Sequence, residues 1–158
     1  MKRVAIFVDV QNIYYTTKQA FGRSFDYRKL WEDVSFLGEI VHANAYAIES
    51  KHIGQQNFQS ALRAIGFKVK LKPFIQRSDG SAKGDWDVGI TLDVIDIAPS
   101  VDIVVLLSGD GDFAMLIEKV KNDYGAASHV YGVKSLTAKA LMDAADRFTP
   151  IDTQLLLR

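Results

Sequence analysis

Apolar residues recur along this chain in two alternating rhythms. Short unbroken runs, which suit strands buried on both faces, are followed by longer stretches with apolar positions three and four apart, which suit helices packed on one side. Val4, Ala5, Ile6, Phe7 and Val8 form the first run, and Asp9 ends it. A helical pattern follows from Asn12 through Tyr14, Tyr15 and Ala20 and is closed by Gly22. Asp26 is placed to cap a second helix carrying Leu30, Trp31, Val34 and Leu37, with Gly38 as its stop. Residues 40–48 alternate as a strand. Residues 55–65 form a helix with Phe58, Leu62 and Ile65 inward, ended by Gly66. In the next strand, 67–71, Val69 and Leu71 face one way, while Lys68, Lys70 and Lys72 face the other. Residues 73–84 read as a loop turning at 78–81. A helix over 86–98 is expected to bury Val88, Leu92, Ile95 and Ile97 before Pro99. Residues 101–107 form a strand, and the helix after it carries Phe113, Leu116, Ile117 and Val120 on one face and closes at Gly125. A fifth strand at 128–133 and a last helix at 135–145 lead to a tail with Phe148 and Ile151.

Strand alternating with helix over the whole length predicts an α/β fold: a doubly wound, mainly parallel sheet with helices on both faces. No linker, repeat or low-complexity segment divides the chain, so a single domain over 1–158 is expected. Apolar residues make up 48% of the chain, which excludes a disordered protein. The absence of cysteine excludes a disulfide framework and a thiolate metal site. Asp9 interrupts the apolar run behind Lys2 and Arg3 too early for a signal peptide, and no run reaches membrane-spanning length. The expectation is a soluble, cytoplasmic protein without membrane contact.

The formal net charge is zero, but it is unevenly spread. Lys51, Arg63, Lys68, Lys70, Lys72, Arg77 and Lys83 lie in a segment whose only acid is Asp79. One face can therefore attract phosphates while another repels them. The lysines of strand 67–71 are either a row of phosphate contacts or the charged guard of a solvated edge strand.

Candidate chemistry gathers at strand and helix ends. Asp110 and Asp112, spaced by Gly111, follow the apolar run 101–107; Asp9 follows the first strand; Asp87 opens a helix. Each alone could be a cap or turn residue. In a parallel sheet, however, the C-terminal strand ends share one side, so the first and fourth strands could bring Asp9 and Asp110 together, with Asp87 as a third group. Four carboxylates with few candidate bases suit a hard cation such as Mg²⁺ or Mn²⁺, which can activate water and stabilise charge on a phosphodiester. His42, His52 and His129 show no ligand spacing, and there is no nucleophile elbow and no P-loop.

Four pieces of the chain carry a resemblance: Phe7-Val8-Asp9-Val10-Gln11-Asn12; Lys83-Gly84-Asp85-Trp86-Asp87-Val88 with Asp93 beyond; Ser108-Gly109-Asp110-Gly111-Asp112-Phe113; and Leu141 with Ala145-Asp146-Arg147-Phe148. In this order they resemble the NYN domain family, in its LabA-like branch, within the PIN-like nuclease superfamily. The resemblance implies a PIN-like α/β/α sandwich with an Mg²⁺- or Mn²⁺-dependent ribonuclease site. By matching position, Asp9, Asp87, Asp110 and Asp112 would be the acidic, metal-holding cluster and Asn12 its polar supporter. Ser108 would position the loop or touch a phosphate. Six helical residues place Asp93 about 120° from Asp87, so it would support the site from behind. Asp85 could cap the helix.

These readings lead to a metal-dependent endoribonuclease with RNA as its partner, single-stranded or structured, and with Lys68, Lys70, Lys72, Arg77 and Lys83 carrying the nucleic-acid backbone. The alternative is an RNA-binding or regulatory module that keeps the metal site without turnover. A small-phosphate phosphatase is disfavoured, because Val10 and Gln11 follow Asp9 where an Asp-x-Asp pair would be needed. The oligomer is left open, a homodimer being one option.

Overall fold

A computed structural model describes residues 1–73, 75–76, 82–83 and 85–158. The strands are β1 (Arg3–Asp9), β2 (Glu39–Ile48), β3 (Lys68–Lys72), β4 (Ile75–Gln76), β5 (Ala82–Lys83), β6 (Ile103–Leu107), β7 (Ala127–Gly132) and β8 (Arg147–Pro150). The helices are α1 (Val10–Phe21), α2 (Tyr27–Ser35), α3 (Ile53–Ile65), α4 (Asp87–Ile97), α5 (Ala114–Tyr124) and α6 (Lys139–Ala144). Six strands form one sheet in the order β3-β2-β1-β6-β7-β8, and every pairing is parallel. β4 and β5 pair antiparallel as a separate two-stranded ribbon.

The central strands are continuous apolar runs because both of their faces are covered. Val4, Ile6 and Val8 of β1, with Ile103, Val105 and Leu107 of β6, enter a core shared with α1, α2 and α3. Ala5 and Phe7, with Val104 and Leu106, enter a second core under α4 and α5, joined by Leu141 of α6. Period-two alternation thus feeds two layers from one strand, and the result is the α/β/α sandwich expected. The chain winds from β1 outward to β3 with its helices on one face, then returns to β6 and winds the other way on the opposite face. The reversal between β1 and β6 opens a crevice at their C-terminal ends, where open α/β sheets take ligands.

Several helix ends follow from local chemistry. Asp26 accepts a hydrogen bond from the Lys29 amide at 3.0 Å and caps α2. Gly22 and Gly125 close α1 and α5 in the left-handed conformation. α2 stops at Ser35 with Phe36 as its cap, short of Gly38.

Two expectations are corrected. The buried side of α4 is Ile90 and Val94, while Val88 and Leu92 are 70% and 62% exposed. This helix is apolar nearly all round, so periodicity alone does not define its inner face. The segment after β7 is a 3-10 turn (Lys134–Leu136) and a short α6, and the expected tail forms the sixth strand, β8. Asp146 fixes the start of β8: its carboxylate accepts from the Ser128 amide at 2.9 Å, and its own amide donates to Ser128 Oγ at 3.0 Å. A four-residue edge strand ending in Pro150 has too little alternation to be seen in sequence, and such short edges are a common protection against further pairing. The expected turn at 78–81 lies outside the described residues. No helix among the described residues is long and apolar enough to cross a membrane.

The corrected phase of α4 is testable by unfolding. Ile90→Ala should lose about 2–5 kcal/mol, as buried large-to-small changes do. Leu92→Ala should stay within about 0.5 kcal/mol of the parent, as exposed substitutions do. Equal losses in chemical denaturation would return α4 to the phase suggested by its sequence.

Candidate metal centre

The crevice is built from three chain segments. β1 and β6 run side by side in parallel, with Val8 opposite Leu107, so Asp9 and Ser108 leave the sheet as neighbours. Asp9 is buried, and both of its carboxylate oxygens have partners. Oδ2 accepts the Ser108 hydroxyl at 3.1 Å, and Oδ1 accepts the Asn12 amide at 3.4 Å. Ser108 Oγ in turn accepts the Asp110 amide at 3.1 Å, and Asn12 Oδ1 accepts the Gly109 amide at 2.9 Å. The loop after β6 is therefore tied to the start of α1 at two points. It also passes close to the backbone beyond β7, and a Cβ on Gly109 would lie 2.6 Å from the Leu136 carbonyl oxygen. Asp110 caps the 3-10 turn Gly111–Phe113, accepting the Asp112 amide at 2.9 Å.

Asp87 comes from the far side, on the first turn of α4, and its amide donates to Asp85 Oδ1 at 3.3 Å. Carboxylate oxygens of Asp87, Asp110 and Asp112 lie within 4.8 Å of one another. Asp9 stands behind this group of three, close enough to interact electrostatically with both Asp87 and Asp110. Partial burial raises the Asp87 carboxyl to about 7, helped by a hydrogen bond to Asp110 and by the charges of Asp110, Asp85 and Asp9. Burial likewise raises Asp9 to about 6, against the lowering effect of the Ser108 and Asn12 hydrogen bonds. Burial is the main cause of both shifts, and the neighbouring carboxylates add to it.

α4 is held in place by side chains that give little sign of this role in the sequence. Trp86 Nε1 donates to the Ala47 carbonyl of β2 at 2.9 Å, and its ring packs on Tyr46 at 5.3 Å. A Cβ on Gly89 would lie 2.5 Å from the Trp86 ring. Asp93 accepts the Tyr46 hydroxyl at 2.7 Å and the Lys70 ammonium at 2.6 Å. Although partial burial works against it, these bonds from Lys70 and Tyr46 hold the Asp93 carboxyl below its usual range. Asp93 thus turns away from Asp87 and braces the helix against β2 and β3. Tyr46 and Trp86 belong to no charged pattern in the sequence, and only the residue spacing around Asp93 hinted at a bracing role.

The lysines of β3 divide by partner. Lys70 is paired with Asp93; Lys72 donates to the Asp85 carbonyl at 3.0 Å and lies 4.7 Å above the Trp86 ring. Lys68 is exposed. Arg77 lies outside the described residues, as does the Lys83 side chain.

The charge crowding predicts a pH response in chelator. Asp87 ordinarily titrates near 3.8, and the folded state carries its proton up to about 7. Between those values the folded state binds more protons than the unfolded one, so this contribution to stability falls as pH rises. Asp9, raised to about 6, acts in the same direction. The metal-free parent should therefore lose more melting temperature between pH 5 and pH 8 than Asp87→Asn does. Parallel melting curves for the two proteins would remove Asp87 from any charged cluster.

The model of the NYN domain matches residues 3–152. The low amplitude and bright protein LabA of Synechococcus elongatus is 30% identical over an alignment of 161 positions, which covers 95% of this chain and 84% of that protein. A crystal structure of a protein of unknown function from Vibrio parahaemolyticus is 53% identical, covers 99% of this chain and 96% of its own, and superposes with a TM-score of 0.94. A ribokinase from Giardia lamblia, 12% identical with a TM-score of 0.51 over 97% of this chain and 58% of its own, shares the general α/β fold alone. With the family pattern spanning nearly every element and its acidic positions converging on one crevice, this chain belongs to the NYN domain family, with a PIN-like nuclease fold.

Proposed function

We propose that this protein is a divalent-metal-dependent endoribonuclease, a single domain over residues 1–158. The observation that carries the reading is the convergence of Asp87, Asp110 and Asp112 within 4.8 Å, at the crevice where the sheet reverses direction. The donors are all hard oxygens, which suit Mg²⁺ or Mn²⁺. Neighbouring carboxylates add to the burial that raises Asp87 and Asp9, and a bound cation would favour their charged forms. Such an ion, when bound, lowers the pKa of a water and stabilises charge on phosphodiester oxygens.

The chain's own residues have separable tasks in this reading. Asp87, Asp110 and Asp112 would hold the ion. Asp9 adds charge from behind and, through Ser108, fixes the Asp110 amide and so the direction of its side chain. Asn12 holds Gly109 and keeps the loop from swinging away from α1. Asp93, Tyr46 and Lys70 hold the helix that presents Asp87. Among the β3 lysines, exposed Lys68 is the one suited to a phosphate contact, since Lys70 and Lys72 are occupied internally.

Two measurements test this. Mn²⁺ should raise the melting temperature of the parent and not that of Asp110→Asn, because the ion binds the folded state preferentially. Asp110→Asn should also lose about two to three orders of magnitude in Mn²⁺-dependent RNA cleavage, at about 1.4 kcal/mol per tenfold. A variant that cuts like the parent would refute the site. A parent that melts higher with Mn²⁺ but cuts no RNA would instead be the binding or regulatory module.

A further inference from the structure

A second feature shares the C-terminal edge of the sheet. A groove of about 1190 Å³ runs between α1 and the segments that follow β2 and β3. It begins at Val10 and Gln11, directly after Asp9, and continues past Tyr14 and Tyr15 to the turn 49–52 and the start of α3. It therefore lies on the opposite side of β1 from Asp110, along the same edge. Its volume exceeds the range of about 300–1,000 Å³ that a single small ligand usually fills.

The lining has a mixed chemistry. Phe25, Tyr27 and Phe58 form an aromatic floor, with rings 4.9 and 5.7 Å apart. Above it Tyr14 and Tyr15 are 47% and 60% exposed and meet edge to face at 5.4 Å. Amides are dense: Gln11 on α1 and Gln55, Gln56 and Gln59 on α3. Gln56 and Gln59 spend one donor each on the carbonyls of Ser50 and Ile48. The Gln11 and Gln55 side chains have no hydrogen-bond partner among the described residues. Charge is sparse and balanced, with Lys51 against Glu49.

This is poor chemistry for a bare phosphate chain and good chemistry for unpaired bases. Exposed aromatic rings stack on any base, and neutral amides pair with base edges that only an unstacked strand presents. The helix rises about 1.5 Å per residue, so Tyr15 lies roughly 9 Å along α1 from Asp9. That is on the order of two to three stacked nucleotides at about 3.4 Å each. A base held there leaves its strand directed toward the acidic crevice.

We infer that this groove is a single-strand subsite: Tyr14 and Tyr15 stack unpaired bases of an RNA whose backbone passes the acidic cluster, and Gln11 and Gln55 contact the base edges. The inference rests on the ribonuclease reading for its choice of polymer. It adds that the substrate is unpaired on the β2 side of the scissile bond and that affinity is drawn from bases there.

Binding in chelator, which suppresses cleavage, separates the two readings. Fluorescence anisotropy would compare a labelled ten-nucleotide RNA, the same RNA in a duplex, and an abasic strand of equal length. The full-length parent should bind the single strand at least tenfold more tightly than the duplex or the abasic strand. Tyr14→Ala and Tyr15→Ala should each weaken single-strand binding by about five- to a hundredfold, the range that loss of one stacked base gives. Neither should change abasic binding. Phe36→Ala, which removes a ring that is 90% exposed and outside the groove, should leave all three affinities unchanged. Melting temperatures matched to the parent would show that the tyrosine variants are folded. If the parent binds the single strand and both tyrosine variants bind it equally well, the groove is not the subsite, while the ribonuclease reading stands. Equal parent affinity for single strand and abasic strand also overturns the subsite. If the parent binds no RNA of any kind in chelator, the subsite falls, while the ribonuclease reading is still decided by cleavage with Mn²⁺.

Discussion

The site depends on one buried carboxylate and the two groups that solvate it. Asp9 has left water at the end of the central strand, and Ser108 and Asn12 replace the lost hydration. A buried charge without such partners is costly enough to neutralise itself or to disrupt its surroundings. Because one partner comes from the loop after β6 and the other from α1, satisfying Asp9 also ties that loop to the start of α1. Asp110 inherits its position from that bond, since Ser108 Oγ receives the Asp110 amide while donating to Asp9. The burial that makes Asp9 a structural anchor also raises its carboxyl to about 6, so structure and electrostatics are inseparable at this position.

Asp87 reaches the crevice by a different device. Among the described residues between β3 and α4 the pairing is the short β4–β5 ribbon, and contacts made by the helix itself fix its place. Trp86 anchors its first turn to β2, and Asp93 anchors its middle to Tyr46 and Lys70. The Lys70–Asp93 pair is partly buried and shares its carboxylate with a tyrosine hydroxyl, a geometry that holds position more firmly than an exposed ion pair on a helix surface does. A basic strand and an acidic helix thus meet inside the molecule, and much of the positive charge of β3 is used for assembly.

The crevice and the groove divide the C-terminal edge of the sheet between charge and aromatic surface. The carboxylates gather where β1, β6 and α4 meet, and the rings and amides gather where β1, β2 and α3 meet. α1 borders both, with Asp9 at its cap and Tyr14 and Tyr15 one to two turns further on. The exposed tyrosines have no role in either core, since the inward side of α1 is Val10, Ile13 and Thr17.

How much of this was legible in the sequence follows from the range of each interaction. Continuous apolar runs reveal strands covered on both faces, so β1 and β6 could be read directly, while the strand order that places the reversal between them came from the folded sheet. Caps such as Asp26, and glycines such as Gly22 and Gly125, act over a few residues and were legible for the same reason. The acidic positions were legible as a motif order, and the parallel register explains why Asp9 and Asp110 meet. The phase of α4 was not, because a helix apolar nearly all round carries little directional signal and is oriented by Trp86 and Asp93 together with the packing of Ile90 and Val94. β8 was not, because a short edge strand is held by the distant pairing of Asp146 with Ser128. Lys70 and Lys72 were legible as an exposed basic row, yet their partners, Asp93 of α4 and the Asp85 carbonyl before it, lie 23 and 13 residues away. Alternation and capping are local and survive in the order of residues; charge pairing and helix phase are contacts at a distance, and only the folded chain decides them.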